Sequence, residues 1–146
     1  MTITEKREVF NAFIGDLGVS FDSTSAVEVL NGLDDGDEFS VEVDGGDYRL
    51  IREGDIDKIM EDELDDDHYM LGCCSAWFIA DITGLTTEDV EKAQKADSMK
   101  VLGALMAKDL ELVQQRMASE DGYGHYFNHY DGNEYEAGGW YIFRTN

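Results

Sequence analysis

His125, His129 and Asp131 lie within seven residues of each other and could in principle exchange protons with a substrate. Acid–base work of that kind needs a group to attack or to be activated, and the sequence places no nucleophile beside them. No G-x-S-x-G elbow, H-E-x-x-H pair, phosphate loop or dinucleotide fingerprint occurs in the chain. The other reactive pair is Cys73-Cys74. A structural zinc site shows paired ligands at short, regular spacing, and cysteines without a gap do not provide it. The reading is that the cysteines pack in an apolar helix and that the histidines share the polar face of a strand. Asp35-Gly-Asp37 and Asp131-Gly-Asn133 resemble the start of a calcium loop. That loop needs Gly at its sixth position and Glu at its twelfth, and the chain has Ser40 and Gly46 in one case, Glu136 and Ile142 in the other. The sequence therefore assigns no catalytic residue, no metal ligand and no cofactor, and the chain is expected not to be an enzyme.

The remaining chemistry is charge. The formal net charge is −22 in 146 residues, with a pI near 4.1. Between Asp22 and Asp67 stand 18 Asp and Glu against Arg49, Arg52 and Lys58, an excess of 15. A one-sign field repels itself and destabilises the compact state, so something must offset it. A basic partner is one answer, and large basic surfaces are typically those that bind nucleic acid. The residues that could contact such a partner are Asp34, Asp35, Asp37, Glu38, Glu42, Asp44, Asp47, Asp57, Glu61, Asp62, Glu63, Asp65, Asp66 and Asp67. The opposing readings are a solvated face that serves solubility and the uniform acidity of a protein from a salt-rich cell. Against the second, eight of the 11 Lys and Arg fall outside the acidic stretch. Direct binding to nucleic acid or to an anionic membrane is disfavoured by the same charge.

Several elements must carry these residues. Val9, Phe10, Phe13, Ile14 and Leu17 recur at helical spacing, which predicts a helix over 4–16 capped by Thr4. A short helix is expected over 25–31. Phe39, Val41 and Val43 alternate with polar residues, as do Tyr48, Leu50 and Arg52, predicting a hairpin. A Gly45-Gly46 turn would set Val43 against Tyr48, Val41 against Leu50 and Glu42 against Arg49. From Asp55 the period becomes helical, with Ile56, Ile59, Met60 and Leu64 on one face and acids on the rest. Residues 69–82 read as one central buried helix, Thr86 as the cap of the next, and 98–118 as another. The tail is aromatic, and two strands are expected at about 125–130 and 140–144. Its Tyr130 and Trp140 are the alternative partner-binding residues if the acidity serves only solubility.

The result is a single α+β domain over 1–146, with about four to five helices, a hairpin in the N-terminal half and an aromatic hairpin at the C-terminus. The Met1-Thr-Ile-Thr-Glu-Lys-Arg start lacks the apolar core of a signal peptide, and two cysteines are too few for a secreted disulfide scaffold. A cytoplasmic setting is expected.

The segment Asp121-Gly-Tyr-Gly-His125, Phe127, Tyr130-Asp-Gly-Asn-Glu134-Tyr-Glu136 and Tyr141-Ile-Phe-Arg144 resembles the C-terminal signature of small uncharacterised proteins of tailed bacteriophages. It covers about the last quarter of the chain and carries no established chemistry. In charge alone, the chain is similar to phage DNA mimics that block restriction or CRISPR enzymes. The resemblance implies an anti-defence role inside a host cell. The partner would then be a basic nucleic-acid-binding protein such as a nuclease, restriction enzyme, CRISPR effector or polymerase.

Overall fold

A computed structural model describes all residues, Met1–Asn146, and shows an α+β chain with a four-stranded antiparallel sheet. The chain divides into two compact units: a sheet unit, Met1–Ile56 with Asp121–Asn146, and a helical unit, Asp57–Glu120.

In the sheet unit, α1 (Ile3–Asn11) starts from Thr2, whose hydroxyl accepts the Glu5 N–H at 3.1 Å. Thr4, the expected cap, lies inside the helix. The chain then widens into a π turn over Ala12–Asp16, closed by the Leu17 N–H on the Ala12 carbonyl at 3.0 Å. The extra residue shifts the helical phase, so Ile14 faces solvent while Phe13 is buried. Asp22 and Ser25 cap one another in a capping box that opens α2 (Ser23–Asp34).

Strands β1 (Glu38–Val43) and β2 (Gly46–Arg52) form the expected hairpin, with a different turn. Asp44 and Gly45 make it, at φ of 51° and 79°. Positive φ at both central residues is the turn that follows strand twist, and Asp-Gly suits it better than Gly-Gly does. Val43 therefore pairs with Gly46, Val41 with Tyr48, and Arg49 with Ser40, not Glu42. The slip is two residues, so every side chain keeps its expected face.

The C-terminal hairpin is β3 (Tyr135–Ala137) and β4 (Trp140–Arg144), joined by Gly138-Gly139. The strand expected at 125–130 does not form. Residues 125–127 instead finish a helical turn that follows a break at Gly122 (φ 79°, ψ 163°) within α8 (Leu110–Phe127), and Asn128 organises the loop behind it. Its side-chain oxygen accepts the N–H groups of Tyr130, Asp131 and Gly132 at 3.0–3.3 Å, and its amide donates to the Asn133 carbonyl at 2.7 Å. Four local bonds to one buried asparagine outcompete a strand ladder.

The two hairpins join through β2 and β4 into one sheet of order β1-β2-β4-β3. One face, with Val41, Val43, Tyr48, Leu50, Trp140 and Ile142, is buried in a cluster with Val9, Phe13, Val29 and Leu33. On the other face, Tyr123 and Phe127 pack on Tyr141 and Phe143, with ring centroids 5.1 Å apart in each pair.

The helical unit holds most of α3 (Ile56–Asp66), then α4 (His68–Gly72), α5 (Ala76–Thr83), α6 (Thr87–Lys95), α7 (Met99–Met106) and the first part of α8. The single helix expected over 69–82 is two helices broken at Cys73-Cys74-Ser75. That over 98–118 is interrupted by a 3-10 turn at Ala107–Asp109. α4 and α7 cross at a pair of glycines. A side chain on Gly72 would overlap the Met99 carbonyl, and one on Gly103 would overlap that of His68. Only glycine lets these backbones approach so closely. Thr86 caps α6 as expected, accepting the Asp89 N–H at 3.1 Å.

Candidate acidic interface

The fourteen acidic residues singled out by sequence divide evenly between the units: seven, Asp34 to Asp47, in the sheet unit and seven, Asp57 to Asp67, in the helical unit.

In the sheet unit they flank the edge strand β1 and the loop before it. Arg52 shapes that loop without neutralising it. Its guanidinium donates to the backbone carbonyls of Gly36 and Leu33 at 2.7 and 3.1 Å, and lies 4.4 Å from the Trp140 ring centroid. Asp35 and Asp37 stay exposed. Asp34 is paired with Lys6 at 2.8 Å, and this hydrogen bond holds its carboxyl below the usual range. Glu38 and Glu42 project from β1 to the solvent side, beside the exposed Ser40. Charges on an edge strand also block pairing with another chain. Asp44 accepts the Ser20 N–H at 3.1 Å, and Asp47 accepts from the Asn146 amide at 2.6 Å.

In the helical unit the acids cluster on α3. Ile56, Met60 and Leu64 recur every four residues and are buried, so the remaining arc of the helix meets water. Asp62, Asp65 and Asp66 stand exposed on it, with Glu61 and Glu63 half-buried at its margins. Asp57 accepts from the buried Gln114 amide at 2.8 Å, which fixes the start of the helix. Asp62 bonds Lys58 at 3.2 Å, Asp65 lies 3.2 Å from the His68 ring, and Asp67 caps α4 through the Met70 N–H at 3.0 Å. Asp57 and Asp67 thus have structural work, which the run of acids hid from sequence reasoning.

The alternative aromatic pair does not survive as a pair. Trp140 is fully buried, enclosed by Phe39 and Arg52, and cannot meet a partner. Its alternation with Ile142 in β4 was the signal for burial. Tyr130 is 58% exposed, with the Arg144 guanidinium 3.8 Å from its ring centroid. The proton-transfer set also fails to assemble as expected. His125 lies in the last turn of α8 and His129 in the turn that follows it, so they share no strand face. Asp131 accepts the Asn133 N–H at 3.1 Å in a local turn. No group of three or more His, Cys, Asp or Glu side chains is arranged to hold a metal ion.

Sequence reasoning missed a carboxyl pair in the sheet unit. Glu53 and Glu136 share a hydrogen bond, which with burial and mutual repulsion raises the Glu53 carboxyl above its usual range. The two are far apart in sequence, so only the sheet brings them together.

No protein-family model, no curated protein and no solved structure matches the chain. No helix is long and apolar enough to cross a membrane.

Proposed function

We propose that this chain is a non-enzymatic acidic protein that occupies the basic nucleic-acid-binding surface of a host protein, as a phage-encoded anti-restriction or anti-CRISPR inhibitor acting in the cytoplasm would. The observation that carries the reading is the α3 ridge. Five carboxylates, Glu61, Asp62, Glu63, Asp65 and Asp66, stand on it with no Lys or Arg among them. At a helical rise of 1.5 Å per residue they span about 7.5 Å, or one charge per roughly 1.5 Å. Duplex DNA presents one per about 1.7 Å of its axis. The ridge is anchored by a buried apolar stripe, so the charges are displayed by a folded element. A groove built for phosphates would release its counterions into solution when the ridge binds, as it does when DNA binds.

Two salt concentrations distinguish this from a merely solvated face. Proteins captured from bacterial lysate at about 50 mM salt should be basic nucleic-acid-binding proteins. For six to ten charge contacts their affinity should fall about 10³- to 10⁵-fold by 200 mM. Capture that ignores salt contradicts the proposal.

The second reading, an interaction module built on the aromatic tail, rests on the exposure of Tyr130. It predicts that Tyr130→Ala abolishes binding while charge reversal on α3 does not.

A further inference from the structure

The sheet ends at β1, and the hydrogen bonds around β2 show which groups that strand leaves free. Thr145 donates its N–H to the Asp47 carbonyl at 2.9 Å, and Glu53 donates to the Gly139 carbonyl at 3.0 Å. The odd-numbered residues along β2 therefore turn their backbone groups toward β4. Arg52 donates to the Asp37 carbonyl at 2.9 Å, so the even-numbered ones turn toward β1. In the register of the hairpin their partners are Phe39, Val41 and Val43. The N–H and C=O groups of Glu38, Ser40 and Glu42 point the other way, out of the sheet. β1 pairs with β2 alone, and no turn or loop hydrogen bond reaches these groups. An edge of this kind is a template for one more strand.

The side chains decide which strand fits. Glu38, Ser40 and Glu42 are exposed on one face. Glu42 forms no ion pair within the chain and stands opposite Asp47, a like-charge pair that costs the hairpin stability. A cation brought alongside Glu42 relieves that repulsion. Glu38 keeps acceptor capacity beyond its bond to Arg49. A second copy of β1 would add carboxylates, so the charges that bar self-pairing admit a basic strand. We propose that β1 is a docking edge for a basic β-strand of a partner protein, added antiparallel like the other pairings of the sheet. Its Lys or Arg residues stand four positions apart, about 14 Å along the strand, opposite Glu38 and Glu42. The residues that alternate with them continue the face of Phe39, Val41 and Val43 and are apolar. Backbone hydrogen bonds supply the affinity and the paired charges the selectivity. This edge lies wholly in the sheet unit and draws nothing from the α3 ridge.

The test titrates the isotope-labelled protein with an acetylated, amidated peptide, Thr-Lys-Val-Thr-Val-Lys-Thr, and follows amide hydrogen exchange by NMR. Saturating peptide should slow exchange at Glu38, Ser40 and Glu42 about tenfold or more. The amides of Phe39, Val41 and Val43, already bonded to β2, should not change. Methylating the nitrogen of the central threonine removes a hydrogen bond to β1 at constant charge and should abolish binding. Methylating a valine nitrogen, which points away from β1, should not. Glu42→Lys should weaken binding about tenfold or more. Ser40→Pro, which removes an outward N–H, should prevent it, with circular dichroism reporting the fold of each variant. Equal binding of the two methylated peptides would show attraction by charge alone, and no protection at about 1 mM peptide would show a closed edge. Protection that appears without peptide and grows with protein concentration would make the occupant a second copy. Each of these results, or full-strength binding by either folded variant, would overturn the proposal.

Discussion

Arg49 donates from Nε to the Glu38 carboxylate at 2.7 Å, although the residue directly across the hairpin from it is Ser40. The pair is diagonal on the solvent face of β1 and β2. The same guanidinium lies 5.1 Å from the Phe127 ring centroid, so one cation joins the acidic edge of the sheet to the aromatic cover of its second face. Arg49→Ala loses an ion pair and a cation–π contact and should cost about 1–2 kcal/mol. Glu38→Gln should cost about 0.5 kcal/mol or less. Urea unfolding of the two variants checks the difference, and equal costs would mean that Phe127 contributes nothing.

Glu42 stands directly opposite Asp47. Like charges facing across a ladder destabilise it, so Glu42→Thr should raise stability by about 0.5 kcal/mol, helped by the better strand propensity of threonine. If the sheet unit's acids contact the partner, the same variant binds more weakly. A thermal melt and a binding assay on the one variant separate the two effects, and a lower melting temperature would contradict the first.

The Glu53–Glu136 pair gives stability a pH dependence of definite sign. The folded state holds Glu53's proton above the usual carboxylate range. It therefore binds more protons than the unfolded chain between the unfolded value and the raised one, and stability falls as pH rises through that window. Asp34 acts in the opposite sense. Its carboxyl is held low by Lys6, so its contribution is present above the unfolded value and is lost as pH falls through the folded one. Glu53→Gln should raise the urea midpoint at pH 7 and leave it unchanged well below pH 4. A gain of equal size at both pH values would show that the effect is not ionisation.

The glycine crossing of α4 on α7 should tolerate no side chain. Gly72→Ala places a methyl group on the Met99 carbonyl and should cost about 3 kcal/mol or more. Gly45→Ala, where φ is 79° and the space beside the residue is open, should cost about 1 kcal/mol from backbone strain alone. Chemical denaturation of both variants should keep that order, and the reverse order would contradict the close packing.

The sequence was legible where periodicity and burial agree. The amphipathic α3, the Thr86 cap and the alternation of β1 and β2 follow from side-chain chemistry within a few residues. The turn register did not, because Asp44-Gly45 and Gly45-Gly46 both qualify as turn residues and both keep the same face inward. Asn128 was unreadable for a different reason: its role depends on collecting four backbone groups at once, and neighbouring aromatics suggested a strand. Among the acids, composition identified the display but not the assignments. Asp57, Asp62, Asp65 and Asp67 have partners within the helical unit, while Asp35, Asp37 and Glu42 stand exposed on the sheet unit. Trp140 was a partner contact only in the alternative reading; a cross-strand aromatic core was the preferred one, and the sheet buries Trp140 as that core requires.

The most direct test of the acidic-interface proposal is the salt dependence of partner binding by a variant with its α3 ridge neutralised: Glu61→Gln, Asp62→Asn, Glu63→Gln, Asp65→Asn and Asp66→Asn together. Log affinity should fall linearly with log salt for the wild type, and duplex DNA should compete for the same site. The variant should bind more weakly at low salt, with a slope shallower by several units, while circular dichroism shows the fold intact. An unchanged slope, or a partner that duplex DNA does not displace, would contradict the account.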